Sequence, residues 1–168
     1  MSASIETERK FVIAIPDVEF ISSLDGYTLS EIEQTYLLSS PTVTRRVRLR
    51  RYQDRTVYTE TKKIRIGRMS AEEDEREISE GEYKTLLTQI APGTVTLRKT
   101  RITFEYSERV FEMDVYPEWQ RSCILEVELD REDAPLSMPP FLEIIAEVTG
   151  DRRYSNAAMS YEFPKELI

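Results

Sequence analysis

Charged side chains recur on alternate positions of several short runs, and most runs carry largely one sign. Ile5-Glu6-Thr7-Glu8-Arg9-Lys10-Phe11 puts Glu6, Glu8 and Lys10 on one face of an extended segment. Val47-Arg48-Leu49-Arg50 puts Arg48 and Arg50 on one face and Val47 and Leu49 on the other, because successive strand side chains point to opposite faces. Further along come Lys62, the pair Glu73 and Glu75, Lys99 with Arg101, Glu112 and Asp114 flanking Met113, and Glu126 and Glu128 flanking Val127. Clustered carboxylates cannot all ionise comfortably side by side, and a hard divalent cation relieves them. Clustered lysines and arginines call for a polyanion, and their donors match phosphate oxygens. A metal–polyphosphate complex satisfies both sets at once, which is the chemistry of phosphoryl transfer.

Composition narrows the alternatives. The 168 residues hold no His and one Cys. A Ser-His-Asp triad, a His-ligated zinc, a disulfide framework and a Cys-based metal site are therefore excluded. Lys and Arg total 23 and Asp and Glu 31, a net charge of −8, which argues against a general nucleic-acid or anionic-membrane surface. Arg45, Arg46, Arg48, Arg50 and Arg51 nevertheless fall within seven residues. No apolar run approaches the roughly 18 residues that span a bilayer. No basic and apolar leader opens the chain, so no signal peptide is expected. The expectation is one domain over residues 1–168, cytoplasmic, acting on a small molecule; a homodimer is compatible with it.

These side chains must be positioned by strands. Ile5 to Ile15, a strand beginning at Gln34, Val43 to Tyr52, Thr56 to Ile66, Glu72 to Ile78, Thr94 to Tyr106, Val110 to Pro117 and Ser122 to Leu129 read as strands. Ser79 and Glu82 have capping-box spacing, and Tyr83, Leu86, Leu87 and Ile90 follow as an apolar helical stripe. Short helices are expected at Asp17 to Leu24, from Phe141 to about Ala146, and near Asn156 to Tyr161. The fold class is α+β, mostly β: an eight-stranded antiparallel sheet closing into a barrel with helices packed outside. Charge on alternate strand positions ordinarily marks a solvated face. Here the apolar partners (Ile124, Val127, Leu129, Val47, Leu49) give the other face its own core, and the charges are sorted by strand. If the sheet closes, the charged faces enclose a lumen. Such a lumen must be hydrated or filled by complementary charge, because burying unpaired ions costs several kcal/mol each.

Glu6-Thr7-Glu8-Arg9-Lys10 resembles the ExExK signature of the CYTH superfamily, the triphosphate tunnel metalloenzymes. The resemblance covers nearly the whole chain, through Gln34-Thr35-Tyr36-Leu37, Val47-Arg48-Leu49-Arg50, Glu60-Thr61-Lys62, Glu73-x-Glu75, Lys99-Thr100-Arg101, Phe111-Glu112-Met113-Asp114-Val115 and Leu125-Glu126-Val127-Glu128, to the stretch from Glu147 to Asn156. The chain is most similar to the short bacterial inorganic triphosphatases. The resemblance implies an eight-stranded tunnel that hydrolyses triphosphates, tripolyphosphate first among them, to pyrophosphate and phosphate with Mg²⁺ or Mn²⁺. It implies that Glu6, Glu8, Glu126 and Glu128 hold metal. Lys10, Arg48, Arg50, Lys62, Lys99, Arg101 and Arg153 would bind phosphates, and Glu73, Glu75, Glu112 and Asp114 would orient the bases or assist the metal. Lys99 matches the lysine that activates the attacking water, with Lys10 the second catalytic candidate.

The family's T-x-K is read here as Glu60-Thr61-Lys62, an acid standing for Thr and Lys62 preferred to Lys63 for the inward position. Glu77 takes the place of Glu73 if the register shifts, and Ala146 stands where the family often carries a charge. A class IV adenylate cyclase, a thiamine triphosphatase and a non-catalytic polyphosphate or nucleotide binder are the competing readings. Cys123 is expected to be a buried small hydrophobe, Trp119 a packing or lid residue, and Arg152-Arg153-Tyr154 a segment beside one tunnel mouth.

Overall fold

The structure, a computed structural model, describes residues 2–168, with side chains from residue 4 onward. Nine strands are hydrogen-bonded into one antiparallel sheet, and eight of them close on themselves. They are β1 (Ser2–Ala14), β2 (Thr28–Leu37), β3 (Thr44–Arg51), β4 (Thr56–Arg65), β5 (Ser70–Ile78), β6 (Leu97–Tyr106), β7 (Arg109–Val115), β8 (Ser122–Glu128) and β9 (Ile144–Glu147). The wall runs β5-β4-β3-β2-β6-β7-β8-β1, and β1 returns to β5. The long β1 makes the closure. Its first half pairs with β5, Glu6 opposite Ala71, and its second half pairs on the other edge with β8, Lys10 opposite Glu126. The expected eight-stranded closed barrel is thus the architecture.

Two expectations are corrected. The helix from Phe141 to about Ala146 is instead β9, paired with Phe11 to Ile13 of β1. Its cause is an open edge: β5 leaves β1 after Thr7, and the exposed backbone groups beyond need partners. Ile144 and Ile145, both β-branched, suit the added strand. The second strand begins at Thr28 rather than Gln34. The other two short helices form as α1 (Val18–Ile21) and α3 (Asn156–Tyr161), and the apolar stripe begins as α2 (Glu80–Leu86), continued by a 3-10 turn at Leu87–Gln89. The Ser79 hydroxyl accepts from Glu82 N at 3.1 Å and caps α2.

Period two sorts the side chains into three apolar clusters and one polar interior. Outside the wall, Phe11, Ile13, Phe104, Phe111, Leu125 and Val127 pack with Ile21 of α1 and Leu142. On the opposite outer face Leu37, Val47 and Ile78 pack with Tyr83 of α2. The third cluster stops one end of the interior: Val12, Tyr36, Leu97 and Ile124 share inward positions with charged residues and meet Tyr116, Trp119, Tyr154 and Met159 of α3. Trp119 is a packing residue whose Nε1 donates to the Pro164 carbonyl at 2.8 Å, and Cys123 is buried as expected. Among the described residues no helix is long and apolar enough to cross a membrane.

Candidate functional site

The remaining inward positions enclose a cavity of about 530 Å³. Glu6, Glu8, Lys10, Arg48, Glu73, Glu75, Arg101, Glu112, Glu126 and Glu128 all line it. Strands from every part of the wall therefore bring the charged runs together, as closure of the sheet requires. Five expected site residues, Lys99, Asp114, Arg50, Lys62 and Arg153, do not line the cavity. Lys99 and Asp114 form a layer behind the cavity wall, with no side-chain surface exposed. Arg50 faces the far part of the interior, where its Nε donates to Ser30 Oγ at 2.9 Å.

Lys62 and Arg153 are corrections. Thr61 and Lys63 share the inward face of β4, Thr61 Oγ1 donating to Glu75 Oε2 at 2.9 Å, so the intervening Lys62 points outward and is exposed. The alternation of Glu60 and Lys62 misled because Glu60 is spent outside, on Arg45 and Arg76 at 2.9 and 2.8 Å. Thr61-Lys62-Lys63 is then the T-x-K run, and no acid replaces its Thr. Arg153 is largely exposed and held by Asp151 at 2.6 Å, while its neighbour Arg152 lines the cavity. Glu77 is exposed and absent from the cavity wall, and the register leaves Glu73 and Glu75 inward. Sequence reasoning weighed Lys63 and set it second to Lys62, and it assigned no role to Arg46, Tyr36 or Asn156; all four line the cavity. Parity counted from Arg48 would have found Arg46; nothing in the sequence marked Asn156.

The acids are crowded. Glu6 is hydrogen-bonded to Glu73, and Lys63 Nζ stands 3.4 and 3.5 Å from the two carboxylates. Burial opposes the Glu6 charge, but its bond to Glu73 and the Lys63 charge outweigh that and bring its pKa to about 2. Burial and the neighbouring Glu6 push Glu73 the other way, to about 7. Burial and the Glu126 charge raise Glu8 well above the usual carboxylate range. Crowded acids whose pKa values are raised by burial and by one another are a donor set suited to a hard divalent ion. Among the described residues no three acids form a ready-made metal cage.

The bases are arranged differently. Arg101 holds Asp114 through two bonds of 2.8 Å and Glu112 through one of 3.1 Å. Lys99 Nζ also reaches Asp114, at 2.7 Å, and Asn156 Oδ1 at 3.4 Å, with Tyr116 donating to the same amide oxygen. One aspartate thus serves two cations. An arginine does not give up its proton, so the lysine yields: burial, joined by the Arg101 and Arg48 charges, lowers Lys99 to about 7 even against Asp114. Asp114 is held well below its usual value: burial opposes its charge, and Arg101 and Lys99 prevail. Lys10 behaves oppositely. Burial disfavours its charge, but Glu126, 3.3 Å away, and Glu8 prevail and its pKa is raised. Arg48 leans on a neutral partner, donating to Gln34 Oε1 at 3.2 and 2.9 Å, so its charge is unspent.

No family model matches the chain. An inorganic triphosphatase of Nitrosomonas europaea is 34% identical over 166 residues, 95% of this chain and 99% of that protein. A crystal structure of an inorganic triphosphatase superposes with a TM-score of 0.61 at 28% identity, over 95% of this chain and 97% of that one. A protein of Pyrococcus horikoshii shares the fold at a TM-score of 0.56 and 19% identity, over 76% and 80% of the two chains. The chain belongs to the CYTH superfamily, among its short bacterial members of the inorganic triphosphatase type.

Proposed function

We propose that the chain hydrolyses inorganic triphosphate to pyrophosphate and phosphate, with a divalent metal, Mg²⁺ or Mn²⁺, held by Glu6, Glu8, Glu126 and Glu128. The observation that carries the reading is the cavity itself: proton-sharing acids on one wall and unspent arginines on the other, within one space of about 530 Å³. The likeness to the Nitrosomonas europaea triphosphatase supports the choice of substrate. When bound, the metal would offset phosphate charge and polarise the phosphoryl group. Lys10, Arg46, Arg48, Lys63 and Arg101 bind the phosphates, and Glu73, Glu75 and Glu112 hold those bases in place. Arg50 adds positive charge from the far part of the interior.

In the reaction a water oxygen forms a bond to a terminal phosphorus, the bridging P–O bond breaks, and its electron pair leaves with pyrophosphate. Lys99 is assigned the water's proton, since it is the cation here that is partly neutral at pH 7. Its Nζ lies 3.4 Å from Oδ1 of the cavity-lining Asn156, next to the space the water would occupy. Lys10, charged and paired with Glu126, serves electrostatically. Tyr36 is the sole aromatic on the cavity wall among the described residues, which leaves a nucleobase or thiazole ring little to stack on. The test is a panel of tripolyphosphate, ATP and thiamine triphosphate with phosphate, pyrophosphate and cyclic nucleotide all quantified. Equal phosphate and pyrophosphate from tripolyphosphate, as the best substrate, is expected; cyclic nucleotide from ATP would mark a cyclase.

A further inference from the structure

We propose that Arg65, Arg68 and Arg152 form a subsite at the cavity mouth for the phosphates of a linear polyphosphate beyond the third. The inference rests on the triphosphatase reading of the same cavity. Lys63 and Arg65 share the inward face of β4, and positions two apart lie about 7 Å along a strand. Arg65 is thus one step beyond the last interior cation, toward the hairpin that carries Arg68. Arg152 comes from the segment after β9, and all three line the cavity.

Carbonyls hold Arg65 and Arg68 in place without neutralising them, and Arg152 is exposed. The interior lysines and Arg101 have acid partners, as Lys10 has Glu126 and Lys63 has Glu6. Among the described residues no carboxylate lies within ion-pair distance of Arg65, Arg68 or Arg152. Of the nearby acids, Asp151 is engaged by Arg153 at 2.6 Å and Glu147 by Arg9 at 2.8 Å, while Glu132 lies beside the hairpin and accepts from Ser70 Oγ at 3.4 Å. Arg65 instead donates to carbonyls, through Nε to Gly67 at 3.0 Å and through Nη2 to Arg68 at 2.8 Å and Gly150 at 3.4 Å. Arg68 Nη2 donates to the Thr149 carbonyl at 3.1 Å. Each guanidinium keeps donors to spare, since it carries five N–H groups.

The approach depends on Gly150. Its φ is +76°, and an added Cβ would lie 2.4 Å from Arg68 Cγ. A structural clamp between hairpin and turn explains the carbonyl bonds of Arg65 and Arg68. It does not explain Arg152, whose side chain makes no hydrogen bond among the described residues yet faces the same space. A row of cations leading outward from Arg46 and Lys63 suits a ligand with evenly repeated negative charge, and a longer polyphosphate is such a ligand.

The experiment compares kcat/KM for tripolyphosphate, tetrapolyphosphate and ATP in the full-length protein, the double variant R65Q/R68Q, and R152Q. Glutamine keeps an N–H for the carbonyls and removes the charge. The tetrapolyphosphate-to-tripolyphosphate ratio is expected to fall about tenfold in the double variant and about threefold in R152Q, with the ATP-to-tripolyphosphate ratio held. A tetrapolyphosphate ratio unchanged in both variants overturns the proposal, including when both activities fall together, the mark of a clamp alone. An equal fall for ATP also overturns it. A wild-type protein that turns over no tripolyphosphate overturns the functional reading instead.

Discussion

The two walls of the cavity solve opposite problems. On the acidic wall, β1, β5 and β8 set Glu6, Glu8, Glu73, Glu126 and Glu128 close together with too few cations, and Glu8 and Glu73 respond with raised pKa values. On the basic wall, β3 and β6 hold Arg48 on neutral Gln34 and let Arg101 and Lys99 share Asp114, and Lys99 responds with a lowered one. Neither wall is complete alone. On the proposed reading, side chains that strain against their own charge suit a cation on one side and a polyanion on the other. Such frustration is retained at sites that bind, because a folded core would have paired or discarded it.

The acidic wall gives the largest expected effect. Glu6→Gln or Glu8→Gln should lower tripolyphosphate turnover about a thousandfold or more, since loss of even an outer partner of a metal site costs 10- to 100-fold. Both should stay folded by circular dichroism, and unchanged turnover in either removes that wall from the metal site. On the basic wall, Lys99→Gln should lower kcat about a hundredfold with little change in KM. A pure KM effect would reassign Lys99 to binding. With Lys99 lowered from 10.5 to about 7, its neutral fraction grows as pH rises through neutrality, so wild-type kcat should climb from pH 6 to 8 and the variant's should not.

Smaller effects sharpen the same contrast. Lys63→Gln should raise KM about tenfold and Lys62→Gln less than about twofold, and equal effects would return Lys62 to the interior. Glu73→Gln tests the crowding without substrate. The folded-state pKa of Glu73 is raised from 4.5 to about 7. Its proton therefore favours folding fully below about pH 4.5, and that contribution is lost as pH rises through 7. The metal-free variant should be more stable than wild type at pH 8, by about 1–2 kcal/mol, with the gap closing toward pH 5.5 in thermal melts. A constant gap would mean that Glu73 is not crowded.

Much of this was legible in the chain because a strand's period of two is rigid. Once Glu6 and Glu8, Arg48 and Arg50, and Glu126 and Glu128 share faces, closure of the sheet brings them together. Where period two alone had to choose a phase, it failed. On β4 both Lys62 and Lys63 fit an alternation, and only the neighbours that engage Glu60 and Thr61 decide between them. β9 was hidden because its strand conformation comes from the vacant edge of β1, a long-range cause. The role of Asp114 between two cations was likewise invisible, since it depends on cross-strand distances and not on residue type.

The most direct test is phosphate release from tripolyphosphate by the purified protein, followed with Mg²⁺ or Mn²⁺ and again with EDTA in excess. Turnover that starts with metal and stops on chelation is expected, because the crowded carboxylates need the cation before the basic wall can hold the anion in register. Turnover that persists in EDTA would contradict the account.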